Sequence, residues 1–186
     1  MPTVFIAGSI TIKLLDVKVK ECIDKIVKSN YDVLVGDADG ADTSIQQYLS
    51  ESAVERAIVY CSGWTPRNNL GNWTVHHVET SHAPGSRAFF TAKDLEMAKA
   101  ADYGLMIWDA KSTGTLSNVI ELLRRKKKAR VFVNKDKVFK DVGDVAQLEQ
   151  LVSRMSEAAL KKADAKIRLF EKINTLKHEQ SDMFAA

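Results

Sequence analysis

The sequence predicts an α/β fold: a Rossmann-like parallel sheet with helices on both faces, followed by a C-terminal helical extension. Three observations predict it. Short apolar runs alternate with segments of helical periodicity through Val133. Several of those runs end in glycine and small polar residues, as buried parallel strands do where they deliver the chain to a helix. From Gly143 onward, apolar residues recur every three or four positions with no further glycine or proline.

Val4 to Ala7 reads as a short buried strand closing on Gly8-Ser9, and Leu14 to Val27 as an amphipathic helix with lysines outside. Tyr31 to Val35 is the second strand. Ala41 to Leu49 follows as a helix capped through Asp39 or Asp42. Ala57 to Tyr60 is the third strand. Cys61 to about Arg87 is polar and irregular, interrupted by Pro66 and Pro84, with a short strand at Val75 to Val78. Phe89 to Ala101 is helical, Tyr103 to Trp108 a strongly buried strand, Gly114 to Arg125 a helix, and Arg130 to Val133 the final strand. Beyond Gly143, one long helix or two stacked ones are expected. The first half packs on the domain, and the lysine-rich second half projects or pairs with another chain, which makes a homo-oligomer the expectation. The expected divisions are 1–140 for the Rossmann-like domain, 141–178 for the helical extension and 179–186 for a flexible tail.

The bulk numbers narrow the function classes. The chain has 186 residues, 45% hydrophobic and 27% charged, with a net charge of +3. This suits one soluble domain and excludes a generally cationic nucleic-acid coat. The first residues show no leader pattern, and no apolar run approaches the roughly 20 residues of a membrane span. Cys22 and Cys61 have no metal-ligand spacing, and the adjacent His76 and His77 point apart on a strand. A cytoplasmic protein with no metal, no cofactor and no membrane partner is expected.

The stretch Val33-Leu34-Val35-Gly36-Asp37-Ala38-Asp39-Gly40-Ala41-Asp42-Thr43 is the most informative in the chain. A strand ends in small and acidic residues and turns directly into a helix. Such a loop offers unpaired backbone N–H groups and the positive end of a helix dipole to a phosphate or ribose. Phe5-Ile6-Ala7-Gly8-Ser9 and Trp108-Asp109-Ala110-Lys111-Ser112-Thr113-Gly114-Thr115 repeat the pattern. If the sheet is parallel, all three turns lie along its C-terminal edge.

Together these segments resemble the SLOG superfamily, the Rossmann-like group that includes DprA and the Lonely Guy (LOG) phosphoribohydrolases. The similarity is greatest to its YspA-like branch, where a Gly-Gly-Ala-x-Gly-Ala-Asp loop and a later Gly-Thr loop flank the pocket. Lys93-Asp94-Leu95-Glu96-Met97, ahead of Ala101-Asp102, also looks like a helix of that branch. The resemblance covers roughly residues 3 to 134. It implies binding of a nucleotide or nucleotide-derived small molecule, as sensor, carrier or substrate. Two departures bear on activity. Asp37 stands where the branch has a second glycine, and its carboxylate would repel a neighbouring phosphate. Asn118 stands where LOG enzymes place a catalytic Glu, and an amide cannot act as a carboxylate base.

The candidate ligand-binding residues are therefore Gly8, Ser9, Gly36, Asp37, Asp39, Gly40, Asp42, Asp109, Ser112, Gly114, Thr115 and Asn118. Asp39 and Asp42 serve equally as helix caps, and Asp109 as a cap for the helix after it. If the protein is an enzyme, a nucleotide N-glycosidase or phosphoribohydrolase, the catalytic candidates are Asp39 and Asp109. Phe5-Ile6-Ala7-Gly8-Ser9-Ile10 also looks like the nucleoside deoxyribosyltransferase group. Trp64, Arg67, Asn68, Asn69, Asn72 and Trp73 form a polar, aromatic cluster that either closes over a base or covers the core. Arg87 and Lys93 neutralise a phosphate or are surface charges, and Trp108 is read as core. Finally, Gln180-Ser181-Asp182-Met183-Phe184 resembles the peptide with which replication proteins dock into the sliding clamp, an alternative partner.

Overall fold

The computed structural model describes residues 1–182. Met183 and Phe184, which the clamp-docking motif requires, lie outside the described residues. The strands are β1 (Thr3–Gly8), β2 (Asp32–Gly36), β3 (Ala57–Ser62), β4 (Thr74–Val78), β5 (Tyr103–Trp108), β6 (Lys128–Val133) and β7 (Val138–Val142). They form one sheet in the order β4-β3-β2-β1-β5-β6-β7. Every pairing is parallel except β6 with β7.

Alternation along the strands builds two cores. Phe5 and Ala7, Leu34, Tyr60, Met106 and Trp108 face one side of the sheet, while Val4 and Ile6, Val33 and Val35, Val59, Leu105 and Ile107 face the other. The second face is covered by α1 (Val17–Lys28) and α2 (Ala41–Glu51). The first is covered by α3 (Arg87–Ala100), α4 (Thr113–Arg124) and the helices that follow. Apolar side chains on both faces explain why the central strands lack polar positions.

Several boundaries differ from expectation. Asp16 caps α1 by accepting a hydrogen bond from Lys18 N, so the helix begins at Val17 and Leu14 is left exposed. Neither Asp39 nor Asp42 caps α2. Its N-cap is Gly40, with no side-chain bond. β7 was not foreseen, and the expected boundary at 140/141 falls within it. The C-terminal region contains three helices, α5 (Val145–Val152), α6 (Glu157–Ile167) and α7 (Leu169–Asp182). Ser156 caps α6, and Arg168 ends it in the left-handed conformation at φ 52°. The lysine-rich half does not project: Leu169, Ile173 and Leu176 are buried in the same core as β5 and α4.

Candidate functional site

The three predicted turns do converge. β2, β1 and β5 are neighbours in the sheet, so their C-terminal ends lie side by side. Ser9 N donates to Ile107 O (2.9 Å), and Ser9 Oγ accepts from Asp109 N (3.1 Å) while lying 3.2 Å from Thr115 Oγ1. Thr11 Oγ1 donates to Asp109 Oδ2 (2.8 Å), and Asp109 Oδ1 accepts from Lys111 N (2.9 Å) and Ser112 N (2.7 Å). Ser112 is the N-cap of α4, bonding Thr115 N. The helix cap is thus Ser112, not Asp109.

This mutual bonding occupies several of the candidate groups. Ser9, Asp42 and Thr115 are buried, and their polar groups serve the protein itself. Asp109 accepts three hydrogen bonds, and the lowered basicity they impose does not suit a general base. Burial pushes its carboxyl up, but the bonds from Ser112, Lys111 and Thr11 outweigh that and hold it below the usual carboxylate range.

The β2 loop is tied down in the same manner. Arg67 Nη2 lies 2.7 Å from Asp37 Oδ1, and Arg67 Nε and N donate to Asp37 Oδ2 at 3.2 and 3.0 Å. The carboxylate expected to repel phosphate is therefore neutralised. Despite burial, the hydrogen bonds from Arg67 keep the Asp37 carboxyl below its ordinary value. Asn68 Nδ2 donates to Asp37 O (2.8 Å) and to Asp39 Oδ1 (3.1 Å), and Gln46 Nε2 reaches both Gly36 O (2.8 Å) and Asn68 O (3.1 Å). Trp73 is buried and donates through Nε1 to Val54 O (2.7 Å), and Asn69 bonds the Trp73 backbone. Much of the presumed lid is a clamp on the β2 loop.

Lys93 is no surface charge. It is 3% exposed, with Nζ 2.8 Å from Asp94 Oδ1 and 3.7 Å from Asp42 Oδ2. A Cβ at Gly36 would strike both Asp42 Oδ2 and Lys93 Nζ, which accounts for glycine there. Burial lifts the Asp42 carboxyl to about 6 against the pull of Lys93.

Asp37 and Asp109 have folded-state pKa values below the unfolded value near 3.8. Their stabilising contribution is present above that value and is lost as pH falls through the lower folded values. Acid unfolding of Asp109→Asn is expected to show a shallower loss of stability between about pH 4 and pH 2 than the parent protein. Superimposable acid limbs would contradict it.

Two hollows open beside this rim, and the first turn of α3 contributes to both. One, of about 450 Å³, lies against α4 and is lined by Gly114, Asn118, Arg87, Arg124, Lys166 and Lys172 among others. Asn118 is 8% exposed and lines this hollow from the first turns of α4. Arg87 Nη2 donates to Thr113 Oγ1 (3.2 Å) at the start of α4. Lys172 is pushed below its usual pKa by burial, and by Arg124 and Arg87. Glu121, one turn beyond Asn118, is engaged by Arg124 (3.1 Å) and Arg125 (2.8 Å). Arg124, Lys166 and Lys172 were not among the candidates drawn from the sequence. Arg124 stands on α4 itself, whereas Lys166 and Lys172 reach the same hollow from α6 and α7, a meeting of distant segments that leaves no local signal.

The other cavity, of about 750 Å³, is bounded by Asp37, Ser62, Trp64, His77, Phe89 and Phe90 among others. Of the predicted ligand residues, Asp37 lines this cavity, and Gly114 and Asn118 line the smaller one. Gly8 and Gly40 shape the rim by close backbone approach: a Cβ at Gly8 would meet Ile107 O and Ala41, and one at Gly40 would meet Ile10. Trp108 is core, its Nε1 donating to Ser112 O at 3.0 Å. Among the described residues, no group of three or more His, Cys, Asp and Glu side chains is placed to hold a metal ion. No described helix is long and apolar enough to cross a membrane.

No family model matches the chain, and no curated protein does. Among solved structures it is similar to DNA processing protein A from Helicobacter pylori, with 20% identity and a TM-score of 0.53. The alignment covers 70% of this chain and 64% of that one, less than two thirds of its length. The likeness is one of fold. It agrees with a Rossmann-like architecture and does not bear on the YspA-like branch. The Helicobacter protein binds single-stranded DNA.

Proposed function

We propose that this protein is a SLOG-type binder of nucleotide-bearing ligands. The ligand's phosphate lies in the hollow at the N-terminal end of α4. The observation that carries this reading is the gathering of Arg87, Arg124, Lys166 and Lys172 around one hollow, which Asn118 also lines at the start of α4. Clustered cations crowd one another unless an anion joins them. Gly114 leaves the start of α4 open, since a Cβ there would meet nothing nearer than Ser112 Oγ at 4.0 Å. The helix dipole and free N–H groups of that turn favour an anion.

The ligand is a free nucleotide derivative or the backbone of a nucleic-acid strand, the latter in keeping with the structural neighbour. Hydrolysis is the less supported reading. Asn118 supplies no carboxylate, the donors around Asp109 hold its basicity down, and Asp39 bonds Asn68.

Calorimetry with nucleoside mono- and diphosphates, ADP-ribose and a single-stranded oligonucleotide tests this. The double variant Arg87→Ala/Lys172→Ala is expected to lose tenfold or more in affinity, about 1.4 kcal/mol or above. Binding of a strand would weaken steeply with salt, whereas that of a mononucleotide would change little. Silence across the whole panel, with protein that melts cooperatively, defeats the proposal.

A further inference from the structure

The larger cavity carries an inference that goes beyond the phosphate reading and does not need it. Trp64 is 81% exposed, whereas Trp73 and Trp108 are buried. An indole left in water beside a cavity is unusual, because tryptophan gains more than most side chains from being covered. Gly63, at φ +83°, turns the chain at the end of β3 and allows the backbone to approach Phe89: a Cβ there would lie 3.2 Å from the Phe89 ring. Trp64 lies with its ring centroid 6.2 Å from that of His77, and Phe89 and Phe90 meet edge to face at 5.4 Å. The cavity is therefore walled by rings from the loop after β3, from β4 and from α3.

The polar groups restrict what fits between those rings. Ser62 lines the cavity, and its hydroxyl is the one buried side-chain polar atom without a partner among the described residues. Arg67 is committed: its guanidinium binds Asp37 and stacks 4.4 Å over Phe90. Glu79 adds a carboxylate to the lining. Among the described residues no uncommitted Lys or Arg side chain lines the cavity, so its chemistry disfavours a phosphate and favours an uncharged planar ring with hydrogen-bonding edges.

We infer that this cavity is a nucleobase site, in which a purine or pyrimidine ring stacks against Trp64 and the Phe89–Phe90 pair and bonds Ser62. The base belongs to a free nucleoside or nucleotide, or to a single strand passing over the first turn of α3. That turn offers Arg87 to one hollow and Phe90 to the other. Stacking of this kind tolerates any base, since each has a π-face.

Tryptophan emission reads the site directly, because Trp64 is the exposed indole. Adenosine, cytidine and an unphosphorylated single-stranded hexanucleotide would be titrated, with ribose 5-phosphate as the ring-less control. Saturable quenching by the nucleosides and the hexanucleotide, and none by ribose 5-phosphate, is expected. A strand that half-saturates at tenfold lower concentration than the nucleosides identifies a strand as the source of the base, and equal concentrations identify the free compound. By calorimetry, Trp64→Ala, at an exposed position, is expected to bind nucleosides at least tenfold more weakly, and Ser62→Ala severalfold. Absence of saturable quenching, equal quenching by ribose 5-phosphate, or unchanged nucleoside affinity in Trp64→Ala overturns the assignment. Nucleosides lack phosphate, so the two readings fail separately. Phosphate-dependent nucleotide binding with a silent Trp64 sinks this one alone, and a responsive Trp64 without phosphate-dependent affinity sinks the other alone.

Discussion

Replacing Gly40 with alanine is expected to destabilise the protein by about 3 kcal/mol, combining backbone strain with overpacking. Gly40 adopts φ 80° and ψ −121°, a region that side-chain-bearing residues hardly populate. Space is also lacking. A Cβ at this position would strike the backbone oxygen, carbonyl carbon and Cα of Ile10. Those are main-chain atoms of the β1 turn, which is itself anchored by Ser9 N on Ile107 O. Relief would require the β1 and β2 turns to separate, and with them the rim. Gly114→Ala is the matched control. Its φ is not positive and a Cβ there meets open space, so it is expected to be neutral or to stabilise by up to about 1 kcal/mol through helix propensity. Urea unfolding distinguishes the two, with a lowered midpoint and unchanged slope for Gly40→Ala. A loss below 1 kcal/mol would show that the two turns are not locked together as described.

The contrast between these glycines also marks what a sequence can disclose. Strand-then-glycine patterns at Gly8, Gly36 and Ser112-Gly114 located the three turns, because the pattern follows from local backbone demands. The strands and α1 to α4 were legible for the same reason, since apolar periodicity is local. Three features were not. β7 is a five-residue edge strand whose assignment depends on pairing with β6. The breaks between α5, α6 and α7 lie at Ser156, an ordinary cap, and at Arg168, a left-handed residue that is neither Gly nor Asn. The allocation of charges was hidden most deeply. Whether Asp37 repels a phosphate or binds Arg67, thirty residues away, is decided by the path of a long loop. Whether Lys93 meets solvent or a buried carboxylate depends on how α3 crosses the sheet. Local sequence carries neither fact, so the residues whose partners lie far along the chain were the hardest to read.

Lys93 supplies the second large effect. It is inside the protein, between Asp94 and Asp42, and the two carboxylates hold it firmly charged although burial opposes this. Lys93→Met keeps the chain's length and removes the cation. Asp42 is then left buried beside Asp37 and Asp94 with nothing opposite it, and the expected loss is about 3 kcal/mol. In a chain of this size that lowers the melting temperature by on the order of 10 °C. The pH dependence has a definite sign. The Asp42 carboxyl already stands at about 6 in the folded protein against 3.8 unfolded, so the folded state binds the proton more tightly. Between about pH 4 and 6 this group makes the parent protein less stable as pH rises, with a cost of about 3 kcal/mol at neutrality. Asp42→Asn should remove that decline. In Lys93→Met the carboxyl climbs further, the decline extends above pH 6, and adding Asp42→Asn should recover part of the lost stability, because it removes the stranded charge. A single variant melting within about 2 °C of the parent, or a double variant worse than Lys93→Met alone, would mean that α2 and α3 are held together by their apolar contacts and that the buried ions contribute nothing.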